Sequence, residues 1–196
     1  MFKSMPSGWS IMFVFMILSF VLSVQTKHTH SKVQNLQMPI TTESNDQELK
    51  LQACLLPIEG SGVIITMDNS AREAKSGENP NLYLIHDDDI LKVINELRAA
   101  GAEAISINGQ RLIDRSEIRC AGPTLSVNNV RSSAPFEIHA IGEENTLKNA
   151  INMRGGIAET LKVWGINLDV EVSDSVYIPP YKGDHPHIYA KIVPER

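Results

Sequence analysis

The chain has 196 residues, with 18 Lys and Arg against 23 Asp and Glu and a formal net charge of -5. Hydrophobic residues make up 42% and charged residues 21%, which supplies one real core and excludes a wholly disordered chain. The acidic balance and the lack of any basic, aromatic-rich stretch exclude nucleic acid as the main partner, because nothing would neutralise a phosphate backbone.

From the amino terminus, the first feature is WSIMFVFMILSFVLSV, an uncharged run from Trp9 to Val24 lying between Lys3 and Lys27. With Pro6 to Gly8 and Gln25 to Thr26 it approaches the roughly 20 residues that a spanning helix requires. It ends in LSVQTKH, without the small residues of a cleavage site, so residues 1–26 are predicted to be an uncleaved membrane anchor. A short amino-terminal tail stays inside, which places the bulk of the chain outside the cytoplasm. Residues 27–56 turn to Gln, Asn, Thr, Ser and Glu and read as a polar linker or short helical stalk. Within them DQELKLQACLLP sets Leu49, Leu55 and Leu56 on neighbouring helical faces, with a stop at Pro57. His28 and His30 have no third ligand, and two imidazoles alone make a poor metal site.

An α/β domain of the α+β kind is predicted over 57–196. Val63 to Met67 form an apolar run between glycines and Asp68-Asn69-Ser70, the pattern of a buried strand. AREAKSGENP reads as an exposed loop. HDDDILKVINELRAAG then predicts a helix, with Asp87 or Asp88 as N-cap, Ile90, Ile94 and Leu97 on one face, and Gly101 at its end. Three adjacent aspartates suit the positive end of a helix dipole better than a cation site. AEAISIN reads as a strand, PTLSVNN as a strand with a turn at Asn128-Asn129, and FEIHAIG as another strand. NTLKNAINMRGGIAETLKVWG has helical periodicity broken at Gly155-Gly156, and Gly165 leads into INLDVEV. This order predicts a ferredoxin-like βαββαβ two-layer sandwich with an extra β-hairpin, behind the transmembrane helix. The helices would cover one sheet face and leave the other for a partner.

HDDDILKVINELRAAGAEAISINGQRLIDRSEIRCAGPTLSVNN, followed by AIG, NMRGGI and VEVSDSVYIPPY, resembles the bacterial family of unknown function 881, which includes YlxW-like and YlxX-like proteins. The resemblance runs from about Pro57 to the end and is most specific from Asn95 to Pro123. It implies one N-terminal membrane helix, a coiled coil, a domain outside the membrane, and a context among cell-division and envelope genes. The stalk here is shorter and less periodic than that pattern. The family implies no catalytic residues.

SINGQRLIDRSEIRCAGP concentrates polar groups where one strand ends and the next begins. Asn108, Arg111, Glu117 and Arg119 form a candidate binding or structural cluster, with Arg119 expected to be the buried member of an Arg/Glu network and Arg111 the more exposed. Gly155 and Gly156 are a candidate anion-binding backbone, without the lysine of a P-loop. Cys120, among apolar neighbours, reads as a buried thiol that forms no disulfide with Cys54. G-x-S-x-G, H-E-x-x-H and C-x-x-C patterns are absent, and His185 and His187 lack a third ligand. The reading is therefore a single-pass, membrane-anchored protein-interaction domain with no cofactor and no metal. Its expected partners are the membrane, a protein of the cell envelope and a second copy of the chain. The rivals are a small-ligand or anion sensor and an envelope hydrolase. With this topology, a cysteine introduced at Asn35 should react with a membrane-impermeant thiol reagent in intact cells. Labelling only after lysis would reverse the orientation.

Overall fold

The computed structural model describes residues 42–183. The predicted anchor, the linker before residue 42, and the histidine pairs at 28/30 and 185/187 lie outside the described residues. Among the described residues, no helix is long and apolar enough to cross a membrane.

Helix α1, Thr42–Gln52, is exposed at every residue from Asp46 to its end. It stops well before Pro57, closing where Cys54, at φ 59, donates its N–H to Leu51 O at 2.9 Å. Residues from Lys50 onward form one compact unit. Its elements are β1 (Ile58–Asp68), a 3-10 turn (Pro80–Tyr83), α2 (Asp87–Ala99), β2 (Ala104–Ile107), β3 (Gln110–Arg111), β4 (Ile118–Ala121), β5 (Thr124–Val127), β6 (Val130–Ser132), β7 (Phe136–Ile141), α3 (Glu144–Ile151), α4 (Ile157–Val163) and β8 (Asn167–Ile178). The fold is mixed α+β with two antiparallel sheets, one of five strands in the order β3-β2-β7-β1-β8 and one of three in the order β4-β5-β6.

Periodicity explains the main layer. Ile90, Val93, Ile94 and Leu97 recur at helical spacing and are all buried, as an amphipathic helix on a sheet requires. Alternate strand residues meet them: Val63, Ile65 and Met67 from β1, Ile105 and Ile107 from β2, and Phe136, Ile138 and Ala140 from β7. Leu147 and Ile151 of α3 and Ile157 and Leu161 of α4 complete the same cluster. Gly101 and Gly165, at φ 89 and 75, close α2 and α4 just before their following strands. Asn128 and Asn129, at φ 51 and 62, make the two-residue turn between β5 and β6.

Two expectations need correction. The helix N-cap is His86 and not an aspartate: its N–H donates to Asp89 Oδ2 at 3.0 Å, which frees Asp87 to bond elsewhere. The second sheet face is also not wholly free. Beyond a register shift between Gly60 and Gly62, the ends of β1 and β8 continue as a two-stranded arm. Ile58, Val176 and Ile178 from this arm pack with Ile64, Ala104 and Ile141 in a second apolar cluster. The arm is tied down where Tyr177 O meets His139 Nδ1 at 3.0 Å and Leu56 O accepts from Arg111 Nη1 at 2.9 Å. A Cβ at Gly62 would stand 2.0 Å from Ala140 O, whereas one at Gly60 would meet only Ile141 Cγ2 at 3.0 Å. Gly62→Ala should therefore lower unfolding stability by at least ~1–3 kcal/mol, and Gly60→Ala by less. Urea denaturation of the two variants checks the order.

Candidate functional site

Of the four polar residues singled out in the sequence, Arg111, through its carbonyl, and Glu117 both meet the Asn128-Asn129 turn, whereas Asn108 bonds to β7. Asn108 and Gly109, at φ 46 and 74, form the two-residue turn joining β2 to β3, the geometry that Asn-Gly favours. Asn108 Oδ1 accepts the Glu137 N–H at 2.6 Å, fixing that turn to β7. Arg111 is buried at 5% exposure. Its carbonyl accepts from Asn128 Nδ2 at 2.8 Å, and its Nε has no partner among the described residues. Glu117 accepts the backbone N–H of Asn129 through Oε1, bracing the β5–β6 turn. Arg119 is exposed on β4. The expected order of exposure is thus reversed, because the arm that buries Arg111 comes from distant parts of the chain. No ion pair joins either arginine to Glu117 among the described residues.

The Gly155–Gly156 break does separate α3 from α4, but its amides are engaged. Gly155 N–H donates to Glu159 Oε2 at 2.8 Å and Gly156 N–H to Met153 O at 2.9 Å. Cys54 and Cys120 are both free thiols. Cys120 is exposed, contrary to the buried thiol expected. Asp87 ties it to α2: Cys120 N–H donates to Asp87 Oδ2 at 2.9 Å, and Asp87 N–H reaches Cys120 Sγ at 3.4 Å. The Cys120 amide holds the Asp87 carboxyl below the usual carboxylate range, while desolvation pushes the Cys120 thiol up. A thiol pushed up in this way has less of the thiolate that a nucleophile needs.

The surface that stands out lies around the 3-10 turn. Asn79 caps it by accepting Asn81 N–H at 3.1 Å, Pro80 starts it, and Asn69 Oδ1 accepts Ile85 N–H at 2.9 Å on its exit. The turn therefore holds Leu82 and Leu84 outward. Trp164, at the end of α4, stands edge-on to Tyr83 with ring centroids 6.4 Å apart. Leu82, Leu84 and Trp164 are 41%, 39% and 40% exposed. They border a groove of about 240 Å³ that also includes Leu161 and Ile166 and the polar side chains of His86, Asp88, Asp89 and Lys92. A second groove of about 390 Å³ continues from it past Leu84 and His86 to Cys120, Pro123 and Phe136. The stretch NLYLI, between the loop and the helix read from the sequence, carried no assignment. Its one available signal was the apolar alternation of Leu82 and Leu84 next to a proline.

Other clusters have structural explanations. His86, Asp88 and Asp89 bring ligand-type atoms within 4.8 Å of one another. Lys92 Nζ already sits 2.8 Å from Asp88 and 3.8 Å from Asp89, supplying their counter-charge. On the second sheet face, a cleft of about 400 Å³ includes Ser106, Asn108, Glu137, His139 and Tyr177. Ser106 is 1% exposed, and the two His139 nitrogens face Tyr177 O and Glu137 Oε1. Serine and histidine here do not form a nucleophile–base pair.

Two antiparallel sheets, one of them covered on one face by helices, define an α+β domain. The chain belongs to DUF881, a family of bacterial proteins of unknown function, whose sequence model matches residues 45–191. It is 37% identical over 123 residues to the UPF0749 protein YlxW of Bacillus subtilis, covering 63% of this chain and 53% of that one. It is 34% identical over 139 residues to the UPF0749 protein Rv1825 of Mycobacterium tuberculosis, covering 68% and 44% respectively. The chain spans about half the length of these curated relatives. A crystal structure of an uncharacterized conserved protein from Mycobacterium tuberculosis aligns with a TM-score of 0.59 at 31% identity, over 74% of this chain and 96% of that one.

Two predictions follow from these bonds. Arg111→Ala leaves Leu56 O without its charged donor and should cost ~1.5–3 kcal/mol, whereas Arg119→Ala should stay within ~0.5 kcal/mol; melting temperatures of the purified variants test this. Asp87 has a lowered folded pKa, so its contribution is present above the unfolded carboxylate range and is lost as pH falls through the folded value. The stability gap between the native chain and Asp87→Asn should therefore close on acidification, and a gap that persists at the lowest pH would reject the assignment.

Proposed function

We propose that this chain is a single-pass, membrane-anchored protein whose domain, outside the cytoplasm, works by protein contact in an envelope or division assembly. One observation carries the reading. Leu82, Leu84 and Trp164 present large apolar side chains side by side at a groove, and exposed apolar surface of this kind marks interaction sites. The occupant is an apolar segment of an envelope protein. The anchor is argued from the uncharged run at Trp9 to Val24, and the division context from the family resemblance alone. The order β2-β7-β1-β8, with helices after β1 and after β7, supports a ferredoxin-like βαββαβ layer in which β3 to β6 are the insertion. A sensor or hydrolase is less well supported, because the amides at Gly155-Gly156 and both nitrogens of His139 are bonded within the chain.

A photo-crosslinking residue at Leu82 should capture a discrete envelope protein in intact cells, while the same residue at Asn149, exposed on α3, should not. Leu84→Glu should abolish that adduct while leaving the melting temperature near that of the native chain. An adduct indifferent to Leu84→Glu, or equally strong from Asn149, would overturn the groove as the docking site.

A further inference from the structure

Among the described strands, β8 has a neighbour on one side only. It pairs with β1, and no other described strand lies along its outer edge. A long strand edge presents unpaired N–H and C=O groups, and chains commonly shorten, bulge or cover such edges because they template further pairing. From Asn167 to Ser173, β8 runs in unbroken register with β1 and contains no proline; the register shift comes only afterwards.

The two faces of this stretch differ. Leu168, Val170 and Val172 point to the helical layer but are only half-buried, unlike their neighbours Val63, Ile65 and Met67 at 0% exposure. Beside Leu168 a groove of about 350 Å³ opens between the strand and α4, lined in part by Asn152, Ala158 and Lys162. The opposite face is acidic. Register puts Asp169 across from Thr66, Glu171 across from Ile64, and Glu137 across from Thr66 on its other side. Asp68 lies two residues along from Thr66 on the same face. Among the described strand residues this face carries no lysine; Arg111 lies beneath the arm at the far edge, and His139, across from Ile64, is bonded to Glu137 and to Tyr177 O.

We propose that the edge of β8 from Asn167 to Ser173 accepts an added strand from a partner protein, one whose side chains alternate between basic and small apolar residues. The backbone ladder supplies affinity and the alternating side chains supply specificity, as in other strand additions. Basic residues of the added strand lie over Asp169 and Glu171, where opposite charges on neighbouring strands attract. The apolar residues between them extend the row of Leu168, Val170 and Val172 into the groove beside α4. A second copy of this chain fits less well, since two such edges would bring their carboxylates together. This surface is separate from the groove at Leu84 and holds whether or not that groove docks a partner.

The test uses the full-length chain and a fluorescent, end-capped eight-residue peptide of alternating Lys and Val, read by anisotropy. It should bind, and binding should weaken as salt is raised. A Glu/Val peptide should not bind. Asp169→Lys with Glu171→Lys should weaken the Lys/Val peptide at least about fivefold, while Leu84→Glu leaves it unchanged. The same peptide N-methylated at alternate residues keeps its charges but loses backbone donors, and it should bind at least about fivefold more weakly. Equal binding of the N-methylated peptide would overturn strand addition in favour of charge adsorption. No binding of the Lys/Val peptide to the folded native chain would overturn the site. Dimerisation of the chain that is lost in the Asp169/Glu171 double variant would overturn it in favour of a second copy.

Discussion

The packing of β1 against β7 at Gly62 is the contact on which the other layers depend. β1 is paired on both sides and gives Val63, Ile65 and Met67, all at 0% exposure, to the core. At its upper end the backbone comes so close to β7 that a Cβ on residue 62 would overlap Ala140 O. A side chain there would force β1 away from β7, opening the core on one face and lifting the arm from the other. One missing methyl group therefore serves two cores. It lets the strands approach, and it stands at the register shift where β1 and β8 leave the sheet plane.

The arm explains the polar groups beneath it. Arg111 would be costly to bury in an apolar setting, since a charge taken out of water needs strong partners. Here its guanidinium meets Leu56 O, a backbone carbonyl from the arm's own base. Arm and arginine are thus mutually dependent: the arm removes Arg111 from solvent, and Arg111 satisfies a carbonyl that leaves the sheet without a ladder partner. His139 plays the matching part for Tyr177 O on the other arm strand. The face that looked available in the sequence is occupied by the chain itself over the half nearest β2 and β3.

What was legible in the sequence was local. The apolar run of Val63 to Met67, the spacing of Ile90, Ile94 and Leu97, and the turns at Gly101, Gly165 and Asn128-Asn129 each depend on residues within a few positions of one another. The start of β1 was missed because IEGSG resembles a turn; its strand character comes from pairing with residues more than a hundred positions later. Arg111 and Arg119 were ranked in the wrong order for the same reason, since nothing near either one announces the arm. Asp87 was assigned to capping, and its carboxylate instead crosses to the Cys120 amide. The signal for Leu82 and Leu84 was present but short, and a two-residue alternation beside a proline is too brief to separate an exposed shelf from a strand end.

Polar groups with chemical potential are, among the described residues, largely committed to the fold. Asp87 holds the Cys120 amide, Lys92 pairs with Asp88 and Asp89, Glu159 takes the Gly155 amide, and His139 is held at both nitrogens. A catalytic centre needs the reverse arrangement, with a base or nucleophile left partly unsatisfied and turned toward space that a substrate can enter. Among the described residues, Leu82, Leu84 and Trp164 are exposed and the outer edge of β8 has no strand beside it. Apolar side chains gain by leaving water and strand edges gain by completing a ladder. Both gains come from association with another surface, and neither requires a bond to be made or broken. These two surfaces are the ones on which the proposed contact function rests.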